Sequence, residues 1–263
     1  MSGEDKLTIQ LLGPPRVLWQ GEEWHIKRRK SRMLLYFLAY QPNKKVVSRS
    51  DIILYFWGDQ PEDKGKSHLR DLLSKLRKEL PQSNMLLTNR ELVWLNEESV
   101  SIDAIEFDAL FRQLNLQILV PEDSPLSDMV FQKMIAAVNM WQASQFMYGI
   151  NALGEDDLQN WIDEQNNDLR YKRLDLMTKL GRHFVFLGDY KEANKWFDQV
   201  IQDDEFYNFD HAKVFRLEVL FRMGQLPQAT SYYKELKENY LPDDFGQYSR
   251  LFNDLCQDIE ALG

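Results

Sequence analysis

Between Asp63 and Leu80 the chain carries Ser67, Arg70, Asp71, Ser74, Lys75 and Lys78, recurring every three to four residues. At about 100° per residue these side chains share one side of a helix. Short hydroxyls, a carboxylate and long cations on one helical face are groups that read base edges and grip phosphates in a DNA major groove. The opposite side carries Leu69, Leu72, Leu73, Leu76 and Leu80, a stripe that packs the helix onto a core. Lys66 lies beside the polar face, Arg77 leans towards its boundary with the core, and His68 points sideways. Alone, the pattern also describes an ordinary solvated amphipathic helix, so its neighbours decide.

Charge is segregated along the chain. Residues 1–112 hold 18 Lys and Arg against 16 Asp and Glu, whereas residues 113–263 hold 14 against 25, within a total of −9. From His25 to Ser50 there are eight cations and no acid: Lys27, Arg28, Arg29, Lys30, Arg32, Lys44, Lys45 and Arg49. A polyanion-binding module joined to an acidic module of different employment distributes charge in this way. The length and 44% apolar content suffice for two cores. The single cysteine, Cys256, excludes an intrachain disulfide or a thiol-rich metal site and reads as a small buried residue. With no apolar run near ~20 residues and a polar Met1–Lys6, the protein is expected to be soluble and cytoplasmic, with no membrane partner.

The elements that must position the polar face are legible in outline. Leu7–Leu12 alternates and stops at Gly13-Pro14-Pro15, while Val17–Trp19 and Trp24–Ile26 flank the turn-prone Gln20-Gly21. A first helix spans Lys30–Tyr40, with Met33, Leu34, Phe37 and Leu38 inward. A second starts behind Ser48 as N-cap and reaches Trp57-Gly58. After a proline loop comes the leucine-striped helix, then short strands Leu86–Thr88 and Leu92–Leu95 around the tip Asn89-Arg90-Glu91. Beyond residue 112 the chain reads as helical, at about Val130–Ile150, Asp156–Asn167, Leu169–Leu187, His211–Met223 and Gln247–Leu262. Gly188-Asp189-Tyr190-Lys191-Glu192-Ala193 with Phe197 and Gly224-Gln225-Leu226-Pro227-Gln228-Ala229 with Tyr233 form a repeat whose alanines are 36 residues apart, near the ~34-residue tetratricopeptide period.

Strands, three helices and a hairpin in this order resemble an OmpR-type winged helix. Leu11-Leu12-Gly13-Pro14, Pro42-Asn43 before Val46-Val47-Ser48, Trp57-Gly58 before a proline loop, Ser74–Leu80, and Ile102-Asp103 ahead of Phe107 resemble the antibiotic regulatory protein (SARP) family of bacterial activators. Trp141, Arg170–Arg182 and Arg222-Met223-Gly224-Gln225 resemble that family's bacterial transcriptional activator domain. Two segments depart from its pattern: Gln142–Gln145 replaces a basic Gly-Pro segment, and Glu91-Leu92 replaces a Gly-Tyr in the wing. The implied architecture is an α+β winged-helix DNA-binding domain at 1–112 and an all-α tetratricopeptide-like activator domain at 113–263.

The resemblance implies roles for named residues. Ser67, Arg70, Asp71, Ser74 and Lys75 are base-reading candidates. Arg28, Arg29, Lys30, Arg32, Lys44, Lys45, Arg49, Lys66, Lys78 and Arg90 are phosphate candidates. Asp59, Glu62 and Asp63 lie in the loop that can face RNA polymerase in OmpR-type domains. The resemblance implies a sequence-specific activator that binds double-stranded DNA, with a homodimer on direct repeats as one arrangement, and touches the sigma or alpha subunit of bacterial RNA polymerase. Two alternatives stay open: a protein-interaction scaffold whose winged helix no longer binds DNA, and a regulator sensing a ligand in the repeat groove. An enzyme finds little support, because the four histidines are scattered and no phosphate loop or nucleophile motif is present; no metal or cofactor is expected. Trp57, Trp94, Trp141, Trp161 and Trp196 read as packing residues. The cluster Phe206-Tyr207-Asn208-Phe209 reads as a seal of the repeat stack or a partner anchor.

Overall fold

The computed structural model describes residues 6–42, 45–117, 124–152, 154–206 and 208–262. Its chain forms two compact units. The first comprises residues 1–112 with 139–170, and the second 113–138 with 171–263.

In the first unit, β1 (Leu7–Gln10), β2 (Arg16–Trp19) and β3 (Glu22–Glu23) form an antiparallel meander. Trp19 pairs with Glu22, leaving Gln20 and Gly21 as a two-residue turn with φ of 54° and 83°. Positive φ at both positions matches the right-handed strand twist. The strand expected at Trp24–Ile26 is instead the two-residue β3, one step earlier. Helix α1 (Arg29–Ala39) is buried nearly all round, well beyond the four residues its period selects. The cause lies in residues 139–170: Trp161 packs edge-on against Phe37 at 4.9 Å and Phe146 packs against Tyr40 at 5.4 Å.

β4 (Val47–Ser48) leads into α2 (Arg49–Trp57), where the Ser48 hydroxyl accepts from the Asp51 N–H at 3.0 Å as the expected N-cap. Helix α3 (Glu62–Glu79) buries Leu69, Leu72, Leu73 and Leu76. Its Gly65 brings α2 close, since a Cβ there would stand 2.5 Å from the Ile53 Cγ2. Strands β5 (Leu86–Thr88) and β6 (Leu92–Leu95) form the wing as read, and β4 joins them in the order β4-β6-β5. β7 (Val100–Ile102) returns parallel to β1, completing the sheet β3-β2-β1-β7.

Asp103 opens α4 (Asp103–Gln117) and ties it to the first sheet. Its carboxylate accepts from the N–H groups of Leu11 at 2.7 Å, Leu12 at 3.1 Å and Ala104 at 2.7 Å. The motifs at Leu11-Leu12 and Ile102-Asp103 are therefore one structural device. The 140–150 segment adds to the same strand end: Gln142 N–H donates to Leu12 O, and Met147 N–H to Leu11 O, both at 2.8 Å. Trp141 meets Phe107 edge-on at 5.5 Å. The departure at Gln142–Gln145 thus lies in a loop anchored by backbone hydrogen bonds. A continuous helix over Val130–Ile150 is not formed, because α5 (Asp128–Asn139) ends before that loop.

Helix α6 (Asp156–Phe186) is a single 31-residue helix where two were expected, there being no glycine or proline near Asn167-Asp168 to break it. The repeat follows as α7 (Tyr190–Asp203), α8 (His211–Arg222), α9 (Leu226–Asn239) and α10 (Ser249–Leu262). Both glycine turns close alike. Gly188 N–H donates to Val185 O and Asp189 N–H to Phe184 O; Gly224 N–H donates to Phe221 O and Gln225 N–H to Leu220 O. These are Schellman caps, with the glycines at φ of 75° and 69°. Ala193 and Ala229 are fully buried, as close helix pairs require. Gly181 on α6 admits Phe197, whose Cε1 would lie 2.5 Å from a Cβ there. Cys256 is buried in the terminal core with Phe252, Leu255 and Ile259. Of the aromatic cluster after α7, Phe206 is exposed, Phe209 is buried against Tyr171 at 5.1 Å, and Tyr207 lies outside the described residues.

Candidate nucleic-acid interface

Helix α3 displays the expected face. Ser67, Arg70, Asp71, Ser74 and Lys78 are exposed and Lys75 is half-buried. Within the face, Lys75 pairs with Asp71 at 2.5 Å, and Arg70 Nε donates to the Lys66 carbonyl at 3.3 Å. Lys66 pairs with Glu62 at 2.6 Å, which holds the Glu62 carboxyl below its usual range. Such exposed pairs are weak and screened by solvent, so each cation can readily change partner.

Two arginines brace this helix and the wing. Arg77 donates to the Leu86 carbonyl at 3.4 Å and to the Thr88 hydroxyl at 3.2 Å, fixing α3 against β5. Arg49 donates through its backbone to Glu91 O at 2.8 Å and through Nε to Asn89 O at 3.1 Å, fixing α2 against the wing tip. Asn89 Oδ1 accepts from Glu91 N at 2.8 Å and Leu92 N at 2.6 Å, an Asx turn that shapes the tip in place of a glycine. Arg90 stands exposed on that tip.

The bracing brings together cations that are far apart in sequence. Arg49 from α2, Lys66 and Arg70 from α3, and Arg90 from the wing line one cleft of 530 Å³ whose apolar walls include Ile53, Leu54 and Leu69. Leu54 is 57% exposed there. With Glu62, the partner of Lys66, as the one acid in its lining, a concavity holding four cations from three elements keeps a net positive potential on one strip of surface.

The cations at the start of α1 have internal partners. Arg28 pairs with Glu79. Arg29 and Lys30 converge on Glu155, at 3.6 and 3.0 Å, and Lys30 also lies 4.8 Å from the Trp57 ring centre. Arg32 donates to the carbonyls of Ile26 and Lys27 at 3.0 and 3.2 Å. Lys45 pairs with Glu97 at 2.9 Å in full exposure, and Lys44 lies outside the described residues. Glu155 and Glu79, which absorb this charge, carry no sequence signal; Asn89 had one, as an asparagine at a hairpin tip.

Asp59 is exposed in the turn between α2 and α3, while Glu62 and Asp63 occupy the first turn of α3, where they also suit its dipole. No helix among the described residues is long and apolar enough to cross a membrane.

No family model matches the chain, and no curated protein matches it. Among solved structures, Mycobacterium tuberculosis EmbR in complex with a low-affinity phosphopeptide is similar, with a TM-score of 0.71 at 16% identity. The likeness covers 98% of this chain and 65% of that one, so this chain spans less than two thirds of its neighbour. At that identity the likeness shows the fold alone: a strand-containing N-terminal region followed by a helical domain.

Proposed function

We propose that this protein is a sequence-specific, DNA-binding transcriptional activator. The observation that carries the reading is the cleft lined by Arg49, Lys66, Arg70 and Arg90, beside an α3 face of two serines, an aspartate and lysines. Long cations converging from the α2 start, α3 and the wing suit phosphates on either side of a major groove, and Ser67, Arg70, Asp71, Ser74 and Lys75 suit its base edges. Lys45 and Lys78 join the phosphate set, whereas Arg28, Arg29, Lys30 and Arg32 serve mainly to hold α1 to its neighbours. Two protomers on direct repeats, a polymerase contact through Asp59, Glu62 and Asp63, a non-enzymatic role and a cytoplasmic location complete the reading. Residues 1–112 form its DNA-binding domain, and 113–263 the activator domain.

The test is selection of genomic fragments by the purified chain, followed by sequencing and footprinting. A recurring element protected in its major groove is expected. Recovery of fragments with no shared sequence contradicts the reading.

A further inference from the structure

The helical repeat unit contains a cavity of 820 Å³, a size typical of small-molecule sites, between the second half of α6, α8 and the turn at Pro242–Tyr248. Its chemistry is organised around one buried carboxylate. Glu218 is 3% exposed, and it accepts from Arg182 at 2.6 Å and from Arg222 at 2.8 Å. One carboxylate between two guanidiniums leaves a positive charge in excess. Ten N–H donors face at most about four acceptor positions on Glu218, so both arginines retain donors, one of which Arg222 shares with Tyr190.

A stack of helices packed through alanines, phenylalanines and tyrosines has no need of a carboxylate as deeply buried as Glu218, costly to desolvate and held by the half-buried Arg182 and by Arg222, whose side chain is 49% exposed. Around it stands an aromatic wall. The Arg182 guanidinium lies 4.5 Å from the Phe215 ring centre and 5.3 Å from that of Phe186. Tyr248 meets Phe215 edge-on at 4.6 Å and stacks on His211 at 5.3 Å. Other charges lining the cavity are paired: Lys179 with Asp175, which also lines it, and Asp210 with Lys213 outside the lining. Asp244, on the turn that carries Tyr248, takes the Leu241 N–H at 2.7 Å and disfavours a second anionic group nearby.

We propose that this cavity binds a small monocarboxylate with a flat, apolar body. The carboxylate meets the donors that Arg182 and Arg222 do not give to Glu218, and the body lies along Phe186, Phe215 and Tyr248. From His211 to Arg222 the α8 wall runs roughly 16 Å, room for an aryl-alkyl chain. This site is independent of the DNA-binding reading.

The experiment is calorimetric titration of the full chain with indole-3-butyrate and 4-phenylbutyrate, each beside its neutral amide. The expected result is saturable binding of at least one carboxylate, at least tenfold tighter than its amide. Arg222→Gln removes that preference while circular dichroism shows an unchanged fold. Should that variant fail to fold, Phe186→Ala, at a partly exposed lining position, is expected to weaken the carboxylate several-fold, and an unchanged affinity there overturns the proposal. Equal affinity for acid and amide, an undiminished preference in Arg222→Gln, or no saturable binding of either carboxylate overturns the proposal.

Discussion

Asp103 shows how much one side chain organises. Its two oxygens hold the end of β1 and the first turn of α4 together through three N–H donors. Burial outweighs those donors and lifts its carboxyl to about 6, from 3.8. Because the folded form binds this proton more tightly than the unfolded chain, the stability gained from that proton is fully present below about pH 4 and is lost as pH rises through about 6, while the three accepted hydrogen bonds remain. A carbon-detected NMR titration should place the Asp103 carboxyl near 6. Asp103→Ala should cost about 3 kcal/mol in denaturant unfolding, three donors losing their acceptor. At the interface, residues divide by what they touch. Lys45→Ala should weaken binding to all DNA sequences alike, whereas Arg70→Ala or Ser74→Ala should relax preference at particular base pairs by about 1–3 kcal/mol. Equal losses on selected and random duplexes would assign base reading to another face of α3.

At the scale of elements, small residues set the distances. Gly65→Ala forces α2 and α3 apart, because a Cβ meets the Ile53 side chain, and Ala193→Leu overfills a buried contact in the repeat. Each should lower stability by about 1–3 kcal/mol, read as a fall in melting temperature. An unchanged melting temperature for Ala193→Leu would contradict close packing of the repeat pair. The leucine stripe of α3, the Ser48 cap, the wing strands and both glycine turns were legible in the sequence because local period and local chemistry define them. β4 and β7 were not: strands of two and three residues have no period, and they exist through pairing with β6 and β1. Splitting α6 at Asn167 followed polarity where no breaker stands. The packing of Trp141, Phe146 and Trp161 onto the winged helix was hidden for another reason. Aromatic residues announce burial without naming the surface that buries them. The α3 face was readable, yet the internal partners of Arg28, Arg29 and Lys30 were not, because Glu79 lies 51 residues from Arg28 and Glu155 over 120 residues from Arg29 and Lys30.

For the whole molecule, charge separates the two tasks. On the proposed function, an acidic repeat portion would repel DNA and leave that contact to the cations of the first unit. Changing Asp59 and Glu62 together to alanine should leave promoter binding intact and lower transcription with purified polymerase; unchanged transcription would move the polymerase contact elsewhere. Under the same proposal, cations gathered from α2, α3 and the wing meet DNA phosphates. The most direct test is the salt dependence of affinity for a selected duplex, measured with the full chain and with the Lys66→Ala/Arg90→Ala double variant. With about six cations engaged, log K should fall against log salt with a slope of roughly −5, and the double variant should reduce that slope to about −3. A slope near zero, or one unchanged in the double variant, contradicts the account.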